Sequence, residues 1–106
     1  MTTPVIPAQL FNVILQLFRV TYADLLAGSR RHRVIDARTV ICGMARELLP
    51  MHSYKDIVEL ISGRRDAHTT ALNAARRWQR CQSDHKFLPN MTKADIDQHV
   101  RWRLGQ

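Results

Sequence analysis

The chain has 106 residues and a formal net charge of +7, and 45% of its residues are hydrophobic. This length predicts one domain with a modest core, and the hydrophobic fraction excludes a compositionally disordered chain. No apolar run approaches the roughly 18 residues of a membrane-spanning helix, and two cysteines make no disulfide framework, so we expect a reduced, cytoplasmic protein.

The positive charge is concentrated in the middle of the chain. Thirteen of the 16 basic residues are arginines, and residues 30–80 carry 11 Lys or Arg against five Asp or Glu, a balance of +6. The planar guanidinium group binds phosphate oxygens through two hydrogen bonds. A membrane surface would also attract this charge, but the sequence has no Lys-rich amphipathic face. We therefore expect a nucleic-acid partner and no membrane.

Hydrophobic spacing predicts helices from the N-terminal side onwards. After an irregular arm over residues 1–7, residues 8–18 are apolar on most sides and predict a largely buried helix. Thr21 can cap a short second helix with Asp24 at the capping-box position, and Gly28 ends this helix. The longest helical pattern covers residues 34–49, with a regular apolar stripe for the core.

A helix-turn-helix pattern follows. Ser53 begins a short helix with Asp56 at the capping-box position, and Ser62 and Gly63 end it. Asp66 precedes the next helix, where its carboxylate can accept a hydrogen bond from the backbone of the first turn. A short helix, a glycine-containing turn and a longer helix with a polar face are typical of this motif.

The second helix of this pattern has two distinct faces. At about 100° per residue, its inward face gathers Ala67, Ala71, Ala74, Ala75 and Trp78. Its outward face and margins carry His68, Thr69, Asn73, Arg76, Arg77 and Arg80. Short hydrogen-bonding groups followed by guanidinium groups suit a helix that enters the major groove. The alternative is an ordinary solvated face.

Two further groups of arginines favour contact with phosphates. A dense basic turn holds Arg30, Arg31 and Arg33, whose like charges repel one another without an anion nearby. Arg38 and Arg46 lie off the apolar stripe of the long helix. Their alternative role is an exposed ion pair with a neighbouring acid (Asp36 or Glu47), which contributes little stability.

The C-terminal residues 83–106 predict a loop followed by a last helix. Thr92 begins this helix with Asp95 at the capping-box position, and Ile96 and Val100 form a narrow apolar stripe. The stripe can fold back on the domain or meet a second copy. A homodimer through this helix is therefore one of two open alternatives.

Five segments match a known family in order and spacing: ADLL (23–26), SRRHR (29–33), ARTVICGMAREL (37–48), HSYKDIVELI (52–61) and HTTALNA (68–74). Through them, residues 22–80 resemble the C-terminal DNA-binding domain of the bacterial replication initiator DnaA. The resemblance implies an all-α, compact helical bundle with a Trp-repressor-like helix-turn-helix. We place this domain at residues 8–82 and add an extra C-terminal helix within residues 83–106.

The resemblance also implies roles for individual residues. It implies that Asp66, His68, Thr69 and Thr70 contact bases in the major groove and that Arg30 enters the minor groove. It further implies contacts with phosphates or the DNA backbone by Arg38, Arg46, Ser53, Tyr54 and Lys55.

The sequence departs from the family pattern in the turn of the motif. Ala67 interrupts the family's contiguous Arg-Asp-His, and a second arginine makes the connection two residues longer. We expect Arg64 and Arg65 to add phosphate contacts at the groove edge. Lys55 stands where the family commonly has proline. We therefore expect a DNA preference related to, but distinct from, the DnaA box.

The sequence lacks the motifs that are typical of several function classes. The chain has no Gly-rich phosphate loop ending in Gly-Lys-Ser or Gly-Lys-Thr, so we expect no nucleotide binding. It has no H-E-x-x-H or C-x-x-C pair, so we expect no metal, no cofactor and no enzyme activity. We predict sequence-specific binding of double-stranded DNA by a small transcription or replication regulator. The alternative is a protein-interaction module that docks an acidic partner, such as the replication machinery.

Overall fold

The structure, a computed structural model, describes residues 5–27, 30–62 and 68–105. Across these residues the chain forms six helices and one two-stranded sheet, which confirms the predicted all-α bundle with a helix-turn-helix. No helix in these ranges is long and apolar enough to cross a membrane. The elements are α1 (Pro7–Phe18), α2 (Tyr22–Leu26), α3 (His32–Leu48), α4 (Tyr54–Ser62), α5 (His68–Arg80), β1 (Lys86–Leu88), β2 (Met91–Thr92) and α6 (Lys93–Arg103).

Helix α3 lies at the centre of the bundle, in contact with α1, α2, α4 and α5. Ala37, Ile41 and Met44, from the predicted apolar stripe, are fully buried. Helix α1 covers α3 with an almost continuous apolar surface that includes Leu10 and Ile14. Each such buried aliphatic side chain contributes about 1.5–3 kcal/mol relative to an exposed one. The N-terminal half of the chain therefore forms a rigid support for the helix-turn-helix.

Helix α5 packs closely on α3 because Gly43 has no side chain at the contact. A Cβ atom on Gly43 would clash with Cγ of Trp78. The indole of Trp78 is itself 1% exposed, so it has no room to move away. Ala71 and Ala75, both fully buried, complete the close approach. The position of α5 on the bundle is thus set by small residues beneath one large ring.

All three predicted capping boxes are present. In each, the hydroxyl accepts from the acid's backbone N–H and the carboxylate accepts from the N–H of the hydroxyl residue, at 3.0–3.2 Å. The pairs are Thr21 with Asp24, Ser53 with Asp56, and Thr92 with Asp95. Hydrogen bonds with Thr21 lower the pKa of the Asp24 carboxyl, and hydrogen bonds with Thr92 lower the pKa of the Asp95 carboxyl.

A short antiparallel hairpin replaces part of the loop predicted after α5. Strands β1 and β2 pair Lys86 with Thr92 and Leu88 with Met91, joined by a Pro-Asn turn. Phe87 is buried on the bundle side of the hairpin. The prediction of a plain loop was wrong here, because strands of two and three residues are too short to show an alternating pattern.

Helix α6 folds back on its own domain. Ile96 and Val100 are fully buried in the common core, so the first of the two alternatives for this stripe is the one observed. Nη2 of Arg101 lies 2.8 Å from the Glu47 carboxylate and ties α6 to α3. Its Nε also bonds the Asp97 carboxylate within α6. Hairpin and α6 are therefore packed against the same core as the helix-turn-helix.

Candidate nucleic-acid interface

The two helices of the predicted motif are α4 and α5, and α5 has the two faces that the sequence predicts. Ala71, Ala75 and Trp78 are buried. The exposed residues of α5 are all polar: Thr69, Thr70, Asn73, Arg76, Arg77, Gln79 and Arg80. His68 is the first residue of the helix. The helix contains no acidic residue, so its outward surface carries positive charge alone.

The outward surface of α5 contains an open groove of about 450 Å³. Asn73, Arg76, Arg77 and Arg80 line it, with Cys81 at its end. Among the described residues, neither Arg76 nor Arg80 has a hydrogen bond or an ion pair through its guanidinium group. Two unpaired cations one helical turn apart are suited to anionic oxygens.

Arg77, a predicted DNA contact, has a partner inside the protein. Its Nη2 lies 3.1 Å from Oδ1 of Asp36, across 41 positions of the chain. The Asp36 side chain is only 12% exposed, whereas that of Arg77 is 45% exposed. Arg77 therefore ties α5 to α3, and it also lines the groove. Its contact with DNA stays a prediction.

The basic turn leads into α3. Arg30, Arg31 and Arg33 are all exposed, and Arg31 immediately precedes the helix. The predicted end of α2 at Gly28 and the first residue of the turn, Ser29, lie outside the described residues. Three exposed arginines within four positions keep this end of α3 strongly basic, as the sequence indicates.

The two arginines of α3 differ in their surroundings. Arg46 is exposed in the last turn of the helix. Arg38 is half-buried, and its Nη2 donates to the carbonyl of Leu25 at 3.5 Å. It therefore lies beside the end of α2, just before the basic turn. Their contact with phosphates remains a prediction.

The start of α4 is fixed by its capping box, which holds Ser53 at the exposed end of the helix beside the exposed Lys55. The hydroxyl of Tyr22 donates to the carbonyl of Leu60 and ties α4 to α2. Both ends of this helix are thus anchored, and the predicted contacts at its start have a defined position.

Three predicted contacts, Arg64, Arg65 and Asp66, lie outside the described residues together with Ala67. Capping by Asp66 and phosphate contact by the two arginines therefore stay predictions.

A brace around the C-terminal end of α5 was not visible in the sequence. Nζ of Lys93 donates to the carbonyl of Cys81 at 3.1 Å and lies 5.0 Å from the centre of the Trp78 ring. The Phe87 ring packs on the same indole, with 5.7 Å between ring centres. A cation near the last carbonyls of a helix and over an aromatic face is favourable on both counts. The hairpin and α6 therefore hold the end of α5.

The described residues contain no group of three or more His, Cys, Asp or Glu side chains placed to hold a metal ion. Burial raises the pKa of the Cys42 thiol to about 12, so this thiol is protonated at neutral pH.

Comparison with known proteins identifies one family. The model of the bacterial dnaA protein helix-turn-helix matches residues 7–77, about two thirds of the chain. The matched segment runs from the start of α1 into the last turn of α5, and the hairpin and α6 lie beyond it. Comparison with curated proteins and with solved structures gave no significant match.

Proposed function

We propose that this chain, which belongs to the bacterial DnaA helix-turn-helix family, binds double-stranded DNA sequence-specifically as a small regulator of transcription or replication in the cytoplasm. The family is a non-catalytic one and suggests DNA binding. In this proposal α5 enters the major groove, and the basic turn before α3 reaches the adjacent minor groove.

The observation that carries the proposal is the outward face of α5. It presents short hydroxyl groups at its start, through Thr69 and Thr70, and exposed guanidinium groups towards its end. A hydroxyl can donate to or accept from a base edge, whereas guanidinium groups fit phosphate oxygens. The N-terminal half of the helix would then read bases, and the C-terminal half would fix its position on the backbone.

The roles proposed for individual residues are those that the sequence and its resemblance to the family imply. Base readout is assigned to His68, Thr69 and Thr70, with Asp66 before them, and minor-groove contact to Arg30. The phosphate contacts are assigned to Arg31, Arg33, Arg38, Arg46, Lys55, Arg64, Arg65 and Arg77, with Arg76 and Arg80 added because both are exposed and unpaired in the groove. Asn73 lies between the two groups.

The extra residue in the turn supports a distinct preference. An inserted residue rotates what precedes it by about 100° relative to the helix that follows. Asp66 would then point elsewhere than the family's aspartate, while Thr69 and Thr70 keep their mutual geometry. The expected preference is related to the DnaA box without being identical to it.

A homodimer through α6 remains a prediction, but the folded structure limits which surface of α6 could form the contact. Ile96 and Val100 are buried within the chain, so a dimer would have to use the outer surface, where Trp102 is 72% exposed. Sedimentation of the free and DNA-bound protein would measure it.

The test is selection of bound duplexes from a random pool, followed by affinity measurements on the selected and a scrambled site. Thr69→Ala should lower the preference for the selected site by roughly 1–3 kcal/mol if its hydroxyl contacts a base edge. Arg46→Ala should weaken both duplexes alike, because phosphates carry no sequence information.

Matched controls exist on α6, outside the proposed interface. Gln98→Ala removes an exposed polar side chain and Arg103→Ala an exposed charge, and neither should change the preference. Equal losses on both duplexes for Thr69→Ala and Arg46→Ala would contradict the assigned roles. Salt-sensitive binding to an acidic protein without binding to any duplex would favour the protein-interaction alternative.

A further inference from the structure

A second basic groove, of about 420 Å³, lies where the end of α1, the start of α3 and the hairpin turn meet. Its lining includes Arg19 and Arg33 together with residues 88–91 of the hairpin. The hairpin lies beyond the segment matched by the family, which ends at residue 77. This groove is therefore built jointly by the family domain and the additional C-terminal residues.

The two arginines of this groove have no internal counter-charge. Among the described residues, neither guanidinium group makes a hydrogen bond or an ion pair. Both side chains belong to exposed residues. Two cations that share one groove repel each other unless an anion lies between them, and a phosphate group accepts hydrogen bonds from both.

The backbone of Arg19 is unusual for an arginine. It ends α1 in the left-handed conformation, with φ 56° and ψ 44°. Its N–H donates to the carbonyl of Gln16, and the next N–H, of Val20, donates to that of Leu15. Glycine is the common residue at this position of a helix end, because a Cβ atom is crowded there. Arginine at this position therefore costs backbone conformational energy that glycine would not.

The groove continues the proposed DNA surface. Arg33 lies three residues after Arg30, so their Cα atoms are at most about 10 Å apart. Arg30 is the residue assigned to the minor groove. Because Arg33 also lines the groove with Arg19, a DNA strand in contact with Arg30 would lie close to the groove.

From this arrangement we infer that Arg19 and Arg33 bind phosphates of the DNA that flanks the recognised site, on the minor-groove side. This inference rests on the proposed function. It extends the length of DNA that the protein contacts, on one side of the recognised site. The hairpin turn also lines the groove, with the exposed Asn90 as an additional hydrogen-bonding side chain.

The test compares three duplexes that share the selected site: one that ends at the site and two that are extended by about one helical turn on either side. Relative to the duplex that ends at the site, the wild-type protein should bind more tightly to only one extended duplex. This is the duplex extended on the side of the site that Arg30 would contact. Its log–log salt slope should steepen there by about 0.9 for each additional phosphate neutralised. Arg19→Gly should lose a large part of this gain, and the part that remains is the contribution of Arg33.

Arg19→Gly suits this test because glycine adopts the left-handed conformation readily. The variant should therefore fold at least as stably as the wild type, which a thermal melt will verify. Arg19→Lys should keep most of the gain from the extension, and Arg103→Gln, which removes a charge from α6, should keep all of it.

Each remaining outcome overturns the inference in a recognisable way. Equal affinity for all three duplexes, or a full gain in Arg19→Gly, would refute the flanking contact while leaving the interface of α5 intact. Failure to bind any of the three duplexes would refute the proposed function as well. If Arg19→Gly instead lost affinity for polyglutamate alone, the groove would belong to an acidic protein partner.

Discussion

The inward and outward faces of α5 differ in what surrounds them. On the inward face, Ala71, Ala75 and Trp78 are almost completely buried, and Gly43 of α3 leaves room for the indole. The outward face carries exposed hydroxyl, amide and guanidinium groups. One face therefore determines the position of the helix, and the other is available for a partner. Substitutions on the two faces should separate stability from DNA binding.

The largest expected effect is on the inward face. Trp78→Ala should lower the free energy of unfolding by about 3–5 kcal/mol, because it empties a closely packed space between α3 and the hairpin. Urea unfolding measures this value. Gln79→Ala, on the adjacent exposed residue, should change it by no more than about 0.5 kcal/mol. A loss below about 1 kcal/mol for Trp78→Ala would mean that the indole does not hold α5.

A smaller loss is expected at Gly43, where overpacking costs about 1–3 kcal/mol. Gly43→Ala places a methyl group against the indole, and this outweighs the gain of up to about 1 kcal/mol in helix propensity. In a Trp78→Ala background the methyl group has room, so the same substitution should be much less harmful. Additive effects in this double-mutant cycle would contradict direct contact between the two residues.

Arg77 lies between the two faces and should affect both properties. Arg77→Gln removes a half-exposed partner from the Asp36 carboxylate, which should cost about 1 kcal/mol of stability. It should also weaken binding to selected and scrambled duplexes alike. Arg80→Gln is the matched control, since it should weaken DNA binding without changing the urea midpoint. Equal stability of Arg77→Gln and the wild type would show that the ion pair contributes nothing.

The smallest expected effect is a change in the rate at which the Cys81 thiol is modified when DNA is bound. Cys81 lies at the end of the α5 groove, whereas the buried Cys42 has a pKa raised to about 12 and remains a neutral thiol at neutral pH. Iodoacetamide should therefore modify one cysteine in the folded protein and both in denaturant. Bound duplex DNA should slow the reaction at Cys81. An unchanged rate at saturating DNA would show that the groove stays open in the complex.

Much of this architecture follows from local sequence patterns. The three capping boxes and the apolar stripe of α3 depend on residues a few positions apart, and all of them occur as predicted. The two faces of α5 were also predictable, since Ala71 and Ala75 lie about one helical period apart on one face, whereas Asn73 lies about half a period from each of them on the other.

The features that sequence reasoning missed depend on distant residues. The pair of Asp36 with Arg77 joins positions 41 residues apart, and only the packing of α5 on α3 brings them together. Lys93 reaches Trp78 because the hairpin reverses the chain, and that hairpin has too few residues to show a periodic pattern. The proposed groove at Arg19 likewise needs three separate elements to meet.

Whether the outward face of α5 binds the DNA backbone is tested most directly by the salt dependence of affinity for a duplex carrying the selected site. Wild-type affinity should fall steeply with salt, and Arg76→Gln with Arg80→Gln should reduce the log–log slope by about 0.9 for each phosphate that the double variant leaves un-neutralised. The unfolding midpoint of this double variant should match that of the wild type. A flat salt response, or an unchanged slope in the double variant, would contradict a phosphate-binding role for this face.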